Sequence, residues 1–133
     1  MQKLLIGLAI GITIFLLSAA QTAEPENLVY ELRTYTTNDG KLDDLHNRFR
    51  DHTLALFEKH GMKNIGYWVP EDKENTLIYI IAHNNREAAD KSWQSFIDDP
   101  EWKKVWEASN VDGKIVAKID RVFMTGTDYS AIK

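Results

Sequence analysis

The chain has no cysteine among its 133 residues and no run rich in lysine or arginine. The first absence excludes disulfides, a thiol nucleophile, cysteine-ligated zinc, iron–sulfur clusters and the lipidated cysteine of an exported lipoprotein. The second matters because phosphate backbones are held by clustered positive charge. With 16 Lys+Arg against 20 Asp+Glu and a net charge of -4, nucleic acid is not expected as a partner. Also missing are a GxSxG elbow, a P-loop, a dinucleotide fingerprint, internal repeats and low-complexity tracts. What remains is a composition with 44% hydrophobic, 27% charged and 11% aromatic residues, that of an ordinary globular domain.

The beginning of the chain stands apart. Lys3 precedes an uncharged stretch from Leu4 to Leu17 (LLIGLAIGITIFLL), followed by Ser18, Ala19 and Ala20. This is the three-part layout of a secretory signal. As a helix the stretch would reach only about 21 Å, short of a hydrocarbon core of roughly 30 Å, so a permanent membrane span is the weaker reading. Cleavage after Ala20 fits the small-residue rule, giving residues 1–20 as signal, 21–27 as a short mature segment and 28–130 as the domain. The expected destination is the periplasm or the extracellular space.

In the rest of the chain, periodicity and turn chemistry mark six elements. LVYELRTYT (28–36) is rich in β-branched and aromatic residues and ends near Asn38-Asp39-Gly40, a strand and its turn. From Lys41 to His60, Leu42, Leu45, Phe49, Leu56 and Phe57 form one helical stripe, closed by Gly61 in the position of a left-handed cap. MKNIGYWV (62–69) and TLIYIIAH (76–83) flank the polar loop PEDKEN and read as a hairpin. Asn84 with Glu87 resembles a capping pair opening a helix through Ala89, Trp93, Phe96 and Ile97. Asp99-Pro100 restarts it with a cap and an N1 proline, and Trp102, Val105 and Trp106 continue the stripe. IVAKIDRVFM (115–124) is the last strand.

The order β-α-β-β-α-β is that of an α+β, ferredoxin-like fold: a four-stranded antiparallel sheet with both helices on one face. In the strand at 76–83, Leu77, Tyr79 and Ile81 point one way and Ile78, Ile80 and Ala82 the other. Both faces are apolar, and one layer of helices covers only one. A homodimer joined sheet to sheet, the dimeric α+β barrel, is therefore expected, with a pocket between each sheet and its first helix.

Several strings, in order, resemble the NIPSNAP family: Tyr30-Glu31-Leu32-Arg33 with Tyr35, Arg48-Phe49-Arg50-Asp51-His52-Thr53, and Phe57-Glu58-Lys59-His60-Gly61-Met62. Gly66-Tyr67-Trp68, Ser92-Trp93, Asp99-Pro100-Glu101-Trp102 and Thr127-Asp128-Tyr129-Ser130 continue the likeness over residues 28–130. Where the family commonly has proline before the closing motif, this chain has Gly126. The resemblance implies the dimeric α+β barrel but no settled reaction, substrate or catalytic residue.

Among candidate site residues, His46 and His60 fall within about 40° of the apolar stripe on a 100° wheel, with Thr53 between them and His52 on the flank. His52 or His46 would suit a general base near neutral pH. A structural role is also open: His60 capping carbonyls beside Gly61, the others hydrogen-bonding at the edge of the core. Six residues apart, His46 and His52 lack the spacing of a zinc-binding helix, so no metal is expected, nor any cofactor. Glu31, Arg33 and Tyr35 share one strand face, with Asp120 and Arg121 as expected cross-strand partners for an ion pair. Facing the dimer they would lock it, and facing the helices Arg33 and Tyr35 would line the pocket and hold an anion. Thr53, His60, Tyr67, Trp68 and Trp93 complete the expected ligand-binding set. Trp68, Trp93, Trp102 and Trp106 could stack on a flat aromatic ligand, or be plain core.

Two functional readings follow. One is an exported domain that binds a small apolar or aromatic molecule without turning it over. The other is a cofactor-independent monooxygenase or isomerase acting on an aromatic substrate, its pocket histidine the base, by analogy with other dimeric α+β barrels.

Overall fold

The computed structural model describes residues 27–133. The expected export signal, its cleavage site and nearly all of the short segment after it lie outside the described residues. Strand β1 (Val29–Thr37) leads through a turn at Asn38–Gly40 into a helical stretch made of α1 (Leu42–Arg48), a π-helical segment (Phe49–Thr53) and α2 (Leu54–Lys59). Then come β2 (Lys63–Trp68), β3 (Thr76–His83), α3 (Arg86–Asp98), α4 (Pro100–Ser109) and β4 (Val116–Thr125). All strand pairings are antiparallel and the order is β2-β3-β1-β4, the ferredoxin-like arrangement.

The helix expected over 41–60 carries a difference with a clear cause. Leu45, Phe49, Thr53 and Phe57 are all buried, at a spacing of four. Twelve residues of ideal α-helix would rotate that row about 120° away from the sheet. One widened π turn absorbs the excess and keeps the four residues on a single face. A second difference is one residue wide: Asn85, not Asn84, caps α3. Asn85 is extended and its Oδ1 accepts from the Ala88 amide at 2.7 Å. The cap before Pro100 is the expected one, with Asp99 Oδ1 accepting from the Glu101 amide at 2.8 Å. Gly61, at φ 78°, ends α2 in the left-handed region.

The core lies between sheet and helices. Leu77, Tyr79 and Ile81 of β3 meet Leu45, Phe49, Leu56, Phe57 and Phe96 from the helices, with Met62 and Ile115 closing the ends. Tyr79 is at its centre, stacked on Tyr67 at 5.2 Å and edge-on to Phe49 at 5.2 Å. The opposite sheet face carries Tyr30, Leu32, Ile78, Ile80, Val122 and Met124, by the alternation that the register fixes. No helix among the described residues covers it, and Val122 on that face is 55% exposed. No helix among the described residues is long and apolar enough to cross a membrane.

Candidate functional site

The odd residues of β1 face the helices, which answers the question of parity left open by the sequence. Glu31 is fully buried there and receives three donors. Its Oε1 accepts from Arg33 Nη1 at 2.7 Å, and its Oε2 from Trp93 Nε1 at 2.7 Å and His83 Nε2 at 2.9 Å. A carboxylate only accepts, so the Nε2 atom of His83 carries the proton. Burial alone would raise the Glu31 pKa, but the hydrogen bonds from His83, Trp93 and Arg33 outweigh it and bring it down to about 2. The Arg33 guanidinium sits 4.2 Å from the Trp93 ring centre. Burial opposes its charge, yet Tyr35, Tyr79 and Glu31 hold its pKa above the ordinary value. The expected partners Asp120 and Arg121 are not part of this lock. Asp120 sits on the other sheet face and pairs with Lys118 at 2.8 Å.

Arg33 Nη2 donates to the Tyr35 hydroxyl at 3.4 Å, and Tyr35 in turn faces a cavity of about 300 Å³. Its floor is Tyr35 of β1 and Val116 to Ile119 of β4. Its roof is Arg48, Phe49 and Thr53 from the first helical stretch with Phe96, Trp102 and Trp106 from α3 and α4, and Asn110 and Lys114 stand at the side. The cavity lies over the part of the edge strand β4 from Val116 to Ile119, where Ile119 is 46% exposed; further along the strand α3 comes down onto it, with Arg86 3.7 Å from the Phe123 ring centre. Apolar rings therefore enclose a few polar groups, the usual form of a small-molecule site.

Arg48 is the least satisfied of these groups. It is buried, and among the described residues its Nε atom has no partner and its only side-chain hydrogen bond is a 3.3 Å contact from Nη1 to the Ser109 hydroxyl. Its guanidinium lies 5.4 Å from the Trp102 ring centre. Burial lowers its pKa, and Tyr35 and Tyr79 only partly offset this. The Tyr79 hydroxyl is pushed well up by burial, with the Tyr35 hydroxyl beside it.

The residues expected from sequence are distributed as follows. Tyr35 and Thr53 line the cavity, and Arg33 stands one hydrogen bond behind Tyr35 with Trp93 against it. His46, Tyr67 and Trp68 border a shallower groove beside β2, where Tyr67 donates to Asn64 Oδ1 at 2.6 Å. His52 is exposed, on an outer groove between α1 and α4. His60 is engaged elsewhere: its ring nitrogens contact the Ser95 hydroxyl and Asp99 Oδ2, each at 2.7 Å. Lys59 also reaches Asp99 Oδ2, at 2.7 Å. The Lys59 and His60 hydrogen bonds and the Glu101 amide hold the Asp99 carboxyl far below the usual carboxylate range. Among the described residues no group of three or more His, Asp or Glu is placed to hold a metal ion.

Sequence reasoning passed over Arg48. Asp44 at i-4 and Asp51 at i+3 are the neighbours that ordinarily pair with such a residue. Asp44 pairs instead with Lys41 at 3.2 Å, and Asp51 is exposed on the π segment. The available signal was position: Arg48 follows Leu45 by three residues and so stands on the buried stripe.

The NIPSNAP family model matches residues 30–131. The chain belongs to the NIPSNAP family. Solved NIPSNAP structures share the fold of this member at low sequence identity. One from Agrobacterium tumefaciens, described as a family protein of unknown function, is 18% identical with a TM-score of 0.71, covering 83% of this chain and 97% of its own. A NIPSNAP-like domain protein from Burkholderia xenovorans is 13% identical with a TM-score of 0.69, covering 79% and 90%. Outside the NIPSNAP name, SnoaB, a cofactor-independent oxygenase from Streptomyces nogalater, is similar at a TM-score of 0.57 and 15% identity, covering 79% of this chain and 98% of its own. Comparison with curated proteins returns no match.

Proposed function

We propose that this NIPSNAP protein is an exported homodimer that binds a small apolar or aromatic molecule in the cavity between β1, β4 and the helices. The observation that carries the reading is the cavity itself: about 300 Å³, walled by Phe49, Phe96, Trp102, Trp106 and Ile119, with buried polar groups at one end. That volume suits a one- or two-ring molecule. Dimerisation rests on the open sheet face, where Ile78 and Ile80 of β3 and Val122 and Met124 of β4 flank Tyr30 and Leu32 of the β1 strand between them and form an apolar surface continuous enough for a second copy. Export rests on the signal-like layout of residues 1–20.

Native mass spectrometry of the protein purified from its source tests all three parts. The expected species is a dimer of chains starting near Gln21, each retaining an extra small-molecule mass. A bare dimer overturns the ligand, a monomer overturns the dimer, and a chain retaining residues 1–20 overturns cleavage.

The fold shared with SnoaB supports a second reading, a cofactor-independent oxygenase acting on an aromatic substrate. Fold is its only support. His46 and His52, the bases expected from sequence, stand outside the cavity wall. Oxygen uptake on phenolic substrates by the H46A/H52A double variant tests their role: uptake equal to that of the parent removes both histidines from the chemistry.

A further inference from the structure

We infer that the cavity is selective for anions, taking an aromatic or apolar carboxylate whose negative end meets Arg48 while its ring lies among Trp102, Trp106 and Phe49. This deepens the small-molecule reading and rests on it. Three observations support it independently of one another.

The first is the state of Arg48. A guanidinium has five N–H donors, and among the described residues one is used, in a single 3.3 Å bond to Ser109, while Nε has no partner. A buried charge without a hydrogen-bonded counter-ion is among the most unfavourable arrangements in a protein interior. Arg33, the other buried arginine, is the internal control. It stands on the same side of the sheet, equally buried, and has a carboxylate at 2.7 Å. Arg48 has no carboxylate within 4.0 Å among the described residues, although Asp44 and Asp51 share the outer groove with it.

The second is the sign of the wall. The chain carries a net charge of -4, yet the cavity is bordered by Arg48, Lys114 and Lys118 and by no acidic side chain. Lys118 pairs with Asp120, leaving Arg48 and Lys114 as the cations of the wall with no ion pair among the described residues.

The third is the remaining polar group. The Tyr35 hydroxyl oxygen accepts from Arg33 Nη2 and has the Tyr79 hydroxyl as a second donor, an arrangement in which its own proton can go to a ligand oxygen. A carboxylate with one oxygen on Arg48 and the other on Tyr35 would use both, whereas a neutral ring would leave the guanidinium as it is. Thr53, also in the wall, is committed through its hydroxyl to the Arg48 carbonyl oxygen at 3.2 Å.

The test compares 2-naphthoate with the neutral 2-naphthalenemethanol on the intact mature protein, by calorimetry and by quenching of tryptophan fluorescence. The expected result is naphthoate binding at least about tenfold more tightly, as suits a desolvated charge-assisted contact. In R48Q the preference should disappear with the alcohol unaffected, and R48K should retain most of it. Equal affinity of the two probes for the parent overturns the anion selectivity and leaves the small-molecule reading standing. Binding of neither probe overturns both. Should R48Q fail to fold, the parent's ratio and R48K decide: a preference that R48K retains and that disappears once the medium is acid enough to protonate naphthoate supports the proposal, and one that persists for the protonated probe overturns it.

Discussion

Glu31 shows how one side chain can be both hidden and charged. Burial disfavours its ionisation, and three donors from three different elements reverse the balance. The pKa falls from 4.5 to about 2, so the linked stabilisation is fully present above pH 4.5 and is lost as pH falls toward 2. The shift corresponds to roughly 3 kcal/mol. Glu31→Gln keeps the shape but sets an amide or an uncharged oxygen against Arg33. Denaturant titrations should find it less stable by roughly 3 kcal/mol at neutral pH, since breaking one partner out of a buried pair has about that effect. Between pH 4.5 and 2 its stability should vary less with pH than the parent's, and an unchanged slope would remove Glu31 as the titrating group.

Among the elements, the α3–α4 junction shows how much a single cap can hold. Asp99 caps α4, anchors Lys59 and receives His60, so the end of α2 is tied to the start of α4. Asp99→Ala should lower stability by roughly 1 to 2 kcal/mol, the range of an N-cap lost, with the thermal midpoint as the measurement. An unshifted midpoint would show the cap to be redundant. The depressed Asp99 carboxyl acts in the same sense as Glu31, its contribution fading as the medium becomes strongly acidic. This cap was legible because Asp-Pro has a fixed local meaning. The π turn was not. The stripe of Leu42, Phe49 and Leu56 fits an ordinary helix equally well, Thr53 included, and only the unbroken four-residue row from Leu45 to Phe57, which Thr53 completes next to the buried Arg48, reveals the wider turn. Those two polar residues break the hydrophobic pattern on which a wheel depends, and they are also the ones that give the cavity its polarity.

For the whole molecule, the strand order, the face of each helix and the double-sided character of β3 were all readable, because alternation and amphipathic period report burial directly. The cavity was harder to read: it depends on how far α4 overhangs an edge strand, a tertiary distance with no local signature. The open face leads to a test of assembly. Val122→Asp places a charge on its exposed surface, where β1 and β4 pair. The folded variant should sediment as a monomer at concentrations where the parent is a dimer, its circular dichroism unchanged. A parent that is already monomeric at high micromolar concentration would mean that another partner, or none, covers the sheet.

The Glu31 lock also constrains how the strands come together. His83 reaches Glu31 only because β3 is aligned with Val29 opposite His83. A slip of one position turns the imidazole to the far side of the sheet, and a slip of two brings Ile81 to its place. In either misalignment an anion is stranded in hydrocarbon with one donor fewer. Proofreading of the central strand pair is thus built into a single carboxylate, which rejects the near-miss alignments that a strand apolar on both sides would otherwise tolerate.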